Sequence, residues 1–517
     1  MKRGSISVFL ALILPLVLIL LFTLIESARI SGIRVAVRDS GDAAINSVFG
    51  AYNRTLFDEY GLLFFDGGYG NGLIDYEAIE KEFSDAFSAN KNNGSLFFGG
   101  TLLPFGLVDA TVTDVVTATD YNGEILIRSA LDYFKFDLAG ELVESIESCL
   151  KGAEEGNKAK AQSDADSSQL QSTDWGAADL DMSTIGSLGR TEYAVLIQNE
   201  AEEGEEEEPG PPPIDDGKLK SDLSDSVVGS AERSKATGWL SLVVPSEVTV
   251  SGYQFSADNL PSRCAVDPRP LSDQSEFLTD AAKKVTFCEY LLRNFTNYSN
   301  ESGGEGPAYQ VEYILFGNQN DRKNFETALN RIMWIREGMN IVHLLTSDKF
   351  DLIEVAADAL VGWTGNALII GLTCTALMAA WAYAESILDV RALLQKKKVP
   401  FFKTEETWVL SFEGIANLLE GGGEAVKDDP TGMSYEDYLR MFLYVSDFHQ
   451  DAYRAMDLIQ DKLQKRAPNF LMTAAIYGME VRVTVGAREL FTALPLVRKK
   501  KVTGLGYYWT EQFSEVY

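Results

Sequence analysis

The run Ser5-ISVFLALILPLVLILLFTL-Ile25, led by Met1-Lys-Arg-Gly4 and closed by Glu26-Ser-Ala-Arg29, decides how the rest of the chain is read. The 22 residues from Gly4 to Ile25 carry no charge. At about 1.5 Å per residue, a helix of that length spans roughly 33 Å, enough for a bilayer core of about 30 Å. Pro15 falls inside the run, where a membrane helix tolerates it better than a soluble one because neighbouring groups satisfy the freed carbonyl. A secretory signal peptide would share the basic Lys2 and Arg3, but its apolar core is shorter and ends at a small-x-small site. The length of this core favours a retained anchor. Apolar residues then recur at helical spacing past the membrane edge, as Ile30, Ile33 and Val37 and again as Ala44, Val48 and Ala51. One helix is therefore expected to begin in lipid and continue as an amphipathic rod, with Gly61 as its terminator.

A short basic leader ending in Gly4, an apolar run directly behind it and Glu26-x-x-Arg29 at its exit resemble the TadE/TadG-like class of bacterial pseudopilins from tight-adherence (Flp, type IVb) pilus systems. Further along, Glu59-Tyr-Gly-Leu-Leu-Phe-Phe-Asp66, Glu312-Tyr-Ile-Leu-Phe-Gly317, Trp381-Ala-Tyr-Ala-Glu385 and Ser434-Tyr-Glu-Asp-Tyr-Leu439 resemble a family of larger anchored bacterial proteins, a domain of unknown function. The resemblance implies a layout and a location rather than an activity. One position departs from it: processed pseudopilins commonly carry Glu five residues after the cleavage glycine, and here that residue is Phe9.

The formal charge of the 517 residues is −31, and three cations against one anion in residues 1–29 leave −33 for the rest. An acidic surface of this kind repels phosphate backbones, which excludes a direct nucleic-acid function. Lys2 and Arg3 favour a cytoplasmic N-terminus, although Arg29, Arg34 and Arg38 weigh against them from the other end of the span. The resemblance to pseudopilins favours N-in with an extracytoplasmic C-terminal part. Four cysteines (Cys149, Cys264, Cys288, Cys374) form no CxxC; Cys264 with Cys288 is the best disulfide pair, and four free thiols are the equal alternative.

The folded part reads as α+β. Ile74–Asn90 has a helical apolar face of Ile79, Phe83 and Phe87, and Leu107–Ala118 alternates as a strand. Asn122 is placed to cap a helix through Phe136. Residues 151–236 include Glu205-Glu-Glu-Glu208-Pro-Gly-Pro-Pro-Pro213 and read as an acidic, Pro/Gly-rich linker or disordered loop. It separates a first ectodomain part (30–150) from a second (237–517). Strands are expected at Trp239–Val244, Val248–Phe255, Gln310–Phe316, Ile476–Val485 and Lys501–Trp509. Helices are expected at Phe277–Tyr298, after Gly317-Asn-Gln-Asn-Asp321, and as one long element from Tyr435 to Arg466. Ala359–Ala384 is 26 residues without a charge. It reads as a buried helix or a helical pair turning near Gly365, with a second membrane span as the alternative.

Motifs that carry chemistry are missing. The two histidines, His343 and His449, stand alone on predicted helices, and no GxSxG, P-loop, GxGxxG after a strand, HExxH or EF-hand loop occurs. Asp66 and Asn71, in a glycine-rich stretch, read as a turn rather than a calcium loop. No catalytic residue, cofactor or metal ligand is named. The expected function is a single-pass, membrane-anchored extracytoplasmic structural or assembly protein, a minor pseudopilin-like component of a tight-adherence pilus or envelope apparatus. Its expected partners are membrane lipid and other pilin-like or pilus-assembly proteins. A stalked envelope hydrolase or carbohydrate-binding module is the alternative, supported by abundant carboxylates.

Overall fold

The computed structural model describes residues 3–91, 103–137, 243–244, 250–255, 259–264, 280–300, 306–412, 414–419, 425–491 and 506–517. Helix α1 (Arg3–Phe49) runs 47 residues without interruption, with Pro15 inside it. Thr23 satisfies its hydroxyl on the helix's own carbonyls, Leu20 O at 2.7 Å and Ile19 O at 3.1 Å, so the apolar run presents no unpaired polar group there. The helix ends at Phe49 rather than Gly61 because Asn53 starts a new one: its side chain accepts from the N–H groups of Thr55 and Leu56 and opens α2 (Arg54–Tyr60). Gly61 closes α2 instead, in the left-handed conformation at φ 67°.

Four antiparallel strands follow: β1 (Phe65–Asp66), β2 (Phe105–Thr117), β3 (Ala475–Ala487) and β4 (Tyr507–Val516). β3 is central, with β2 along one edge and β1 and β4 along the other. Strands from both sides of the acidic segment thus make one sheet, and that segment itself lies outside the described residues. Val481, Val483 and Val485 lie buried at alternate positions of β3, while Arg482 between them is exposed. The second half of α1, through Ile33, Val37, Ala44 and Val48, and helix α3 (Tyr76–Ala89), through Ile79, Phe83 and Phe87, share a core with these valines.

The remaining elements are helical: α4 (Glu124–Asp137), α5 (Asp280–Asn294), α6 (Gln310–Phe316), α7 (Asp321–Thr346), α8 (Lys349–Val361), α9 (Ala367–Leu394), α10 (Gly414–Leu419), α11 (Tyr435–Val445) and α12 (Phe448–Gln464). They enclose a larger core that takes in Phe64, Ala118, Ala475 and Tyr477 beside the sheet. Several expectations change here. Gln310–Phe316 is a helix, not a strand: Val311 to Leu315 are buried on every side, and a short run apolar all round fits a buried helix as well as a strand. Of Val248–Phe255, the described residues 250–255 form a single bridge, Gln254 to Asn320, and Trp239–Val244 falls mostly outside the described residues. The long helix from Tyr435 breaks at Ser446-Asp447, where Asp447 accepts from His449 N and starts α12. Asn122 sits in a 3-10 turn at φ 57° with no capping role. Of the strand expected at Lys501–Trp509, Tyr507–Trp509 open β4, and residues 501–505 lie outside the described residues. No disulfide joins Cys264 to Cys288, so the expected pairing does not form.

The uncharged stretch does turn at Gly365 (φ 62°), between α8 and α9, with Asn366 accepting from Leu368 N. Trp363 at the tip is 80% exposed, whereas α9 from Trp381 to Val390 is buried throughout.

Gly41 sets how closely α1 meets the sheet. A Cβ there would stand 2.1 Å from Cζ of Phe513 on β4. Gly41→Val is expected to push α1 off the strand and destabilise the protein by about 1–3 kcal/mol, the usual range for overpacking; urea unfolding of the detergent-solubilised chain checks it, and a change below about 0.5 kcal/mol would contradict the packing.

Candidate functional site

The densest set of functional groups lies under the loop after α9. Glu385 and Asp389 sit one turn apart on α9, facing Arg336 of α7 and Lys403, and the side chains in these ion pairs are wholly buried. Arg336 donates through Nε (3.0 Å) and Nη2 (2.8 Å) to Asp389 Oδ2, and through Nη1 to the carbonyls of Pro400 (2.8 Å) and Phe401 (2.9 Å). Lys403 Nζ lies 2.6 Å from Glu385 Oε1 and 2.8 Å from Asp389 Oδ1. Glu385 also accepts from the backbone N–H groups of Val409 (3.1 Å) and Leu410 (2.9 Å). Asn340 bridges Ser386 Oγ and Asp389 Oδ2. Two cations and two anions balance. Burial alone would push Asp389 up, but Arg336 and Lys403 outweigh it and hold its carboxyl below the usual range, while burial pushes Glu385 up.

This arrangement pins a loop rather than presenting a reactive group. Arg336, Glu385 and Asp389 have no exposed surface, and the indole N–H groups of Trp381 and Trp408 both donate to Leu410 O, holding the loop closed over them. His343 stacks on Trp408 at 5.0 Å, and burial lowers its pKa. His449 opens α12, with Nδ1 3.1 Å from Asn122 O. The two rings belong to different neighbourhoods. Asp66 turns its carboxylate onto the N–H groups of Gly68 and Gly70, a turn function. Among the described residues no three His, Cys, Asp or Glu side chains converge as metal ligands would.

Sequence reasoning did not find Arg336 and Lys403. The available signal was Glu385 with Asp389 at i, i+4 on an otherwise apolar helix, which demands buried cations from elsewhere. Removing one partner strands a buried charge, so Lys403→Met is expected to cost about 3–5 kcal/mol, and Lys403→Met with Glu385→Leu distinctly less. A thermal-unfolding double-mutant cycle measures the difference, and additive losses would rule out the coupling.

Among the described residues, Glu312 and Asp451 are further buried carboxyls that form no ion pair. Glu312 accepts from Tyr435 Oη (2.8 Å) and Tyr298 N (3.1 Å), and burial pushes it up to about 7. Asp451, bonded by Ser446, is likewise pushed up to about 7 by burial. Each holds a proton in the folded state that the unfolded chain releases near its ordinary value, so stability falls as pH rises toward 7, by up to about 1.4 kcal/mol per pH unit for each proton. Glu312→Gln is expected to flatten that slope between about pH 5 and 7 in denaturant titrations; an unchanged slope would show that Glu312 is ionised throughout.

A second charged group joins α1 to the sheet. Glu26 and Arg29, 2.5 Å apart, are both buried although they follow the exposed apolar run. Glu26 accepts from Leu490 N (3.3 Å) and Phe491 N (2.9 Å), just past β3. Arg29 donates to Arg488 O at 2.5 Å, and the Phe491 ring stacks on Phe22 with centroids 6.3 Å apart.

Residues 217–487 match a family of unknown function, DUF5702. The chain belongs to DUF5702. The matched region contains the whole ionic cluster, α5 to α12 and all of β3, and leaves α1, β2 and β4 outside it. No curated protein and no solved structure matches the chain.

Proposed function

We propose that this DUF5702 protein is a membrane-anchored extracytoplasmic structural or assembly protein, similar in layout to minor pseudopilins of tight-adherence systems. The observation that carries the reading is the continuity of α1. One helix passes from a run whose Phe9, Leu12, Leu16 and Leu24 are exposed into a half whose Ile33, Val37, Ala44 and Val48 are buried against the sheet. A removable signal sequence has no reason to be structurally joined to its passenger. Here the joint at Glu26 and Arg29 is part of the fold, which supports retention. Exposed leucines on α1 are suited to lipid and to neighbouring apolar helices. α9, the other helix among the described residues long and apolar enough to cross a membrane, carries the buried ion pairs of Glu385 and Asp389, which supports a place in the folded core.

Phe9 favours an accessory role. In a filament, a membrane-buried carboxylate at that position would pair with a neighbouring amino terminus, and a phenyl ring offers no such partner. N-terminal sequencing of protein from its native membrane is expected to return an unprocessed start, and protease added outside wall-stripped cells is expected to digest the part beyond Arg29. Full conversion to Ser5 with recovery in sheared filaments would replace the accessory reading with that of a filament subunit, and protection of residues 30–517 would reverse the orientation.

A further inference from the structure

The clamp at Glu26 brings the end of the sheet level with the end of the apolar run. Phe491 stacks on Phe22, a residue within that run, and Leu490 beside it is 39% exposed. The register places Ala487 of β3 opposite Tyr507 and Gly486 opposite Tyr508. The same end of the sheet therefore carries Tyr507, Tyr508 and Trp509, with Tyr508 59% exposed. Arg488 is exposed there too. Aliphatic side chains next to tyrosine, tryptophan and arginine form the composition that favours a membrane–water interface, where amphipathic rings sit at headgroup depth. In sequence, the connection between Phe491 and Gly506 reads Thr-Ala-Leu-Pro-Leu-Val followed by Arg498-Lys-Lys-Lys501, in a chain whose net charge is −31. With the exposed Arg488, the cationic run of this connection complements anionic headgroups, which the acidic balance of the chain as a whole would repel.

We propose that the anchor-side end of the sheet is a second lipid contact: Leu490 and Phe491 enter the bilayer interface beside α1, and Arg488 and Tyr508 meet the headgroups. This rests on α1 spanning the bilayer. If α1 is in lipid as far as Phe22, the ring stacked on Phe22 is in lipid with it, and Glu26 and Arg29 fix that depth through backbone hydrogen bonds. The folded part is then seated on the membrane at a set orientation, with β4 upright beside the anchor, instead of swinging from a stalk.

The test uses the full chain in lipid nanodiscs containing phosphatidylcholine and phosphatidylglycerol, with a photoreactive phenylalanine analogue placed singly at Leu12, Leu490 or Val445. The clamp uses only the backbone N–H of Leu490, so substitution there leaves it in place. Val445, on α11 in the helical core, is 72% exposed and serves as the control for a surface facing solvent. Mass spectrometry is expected to find lipid adducts at positions 12 and 490, the latter at least about tenfold above position 445, with phosphatidylglycerol enriched over its share of the disc. Adducts at position 12 with position 490 no higher than position 445 would overturn the second contact while leaving the anchor intact. Absence of adducts at position 12 would overturn the anchor and this inference together.

Discussion

β3 is the strand where the sheet's pairings and the two hydrophobic cores meet. It pairs with β2 along one edge and with β1 and β4 along the other. Of its residues, Ala475 and Tyr477 belong to the helical core, and Ile476, Met479, Val481, Val483 and Val485 belong to the core under α1 and α3. Its last residue leads directly into the segment that Glu26 holds. A strand buried this fully must have all its ladder partners supplied, because an unpaired backbone group inside a core costs as much as a lost hydrogen bond. β4 supplies one edge from nearby in sequence, but β1 and β2 come from more than 350 positions away, so β2 can be placed only once β3 is.

That dependence explains which parts of the fold could be read in advance. β2, β3 and α3 carry a two-residue or 3.6-residue period strong enough to stand alone, and the structure follows it. The apolar spacing of Ile33, Val37, Ala44 and Val48 likewise foretold the buried side of α1. The failures are local competitions that periodicity does not see. Asn53 and Asp447 each offer a side-chain oxygen to nearby N–H groups and restart a helix where the pattern would have run on. Gln310–Phe316 has no polar side at all, since even Glu312 is buried, and a segment without sides has no legible period. The ionic cluster was half visible: two acids on an apolar helix require cations, but Arg336 lies 53 positions from Asp389 and is found only through the packing of α7 on α9.

The cluster's energetics separate structural from chemical use. Desolvating four charges offsets most of what their attraction returns, so such a group is weak evidence for stability gained over an apolar core. What it does supply is geometric: Arg336 bonds two loop carbonyls and Glu385 two loop N–H groups, fixing the chain from Pro400 to Leu410 in one position. The region matched by the family contains all of these partners. A role for this body is then best sought on the surface the pinned loop shapes rather than inside the cluster, whose charged side chains are buried.

The junction at Glu26 bears on how the anchor and the folded part can be separated. A carboxylate at the end of an apolar span is costly unless paired, and here Arg29 and two backbone N–H groups pair it, each charge-assisted bond contributing about 1.5–3 kcal/mol. Cutting the chain after Arg29 removes the acceptor for Leu490 and Phe491 and the donor to Arg488, and leaves the Phe491 ring without Phe22. α1 is therefore a structural element of the folded part. A folded part that depends on α1 for the end of its central strand transmits the helix's position directly into the sheet.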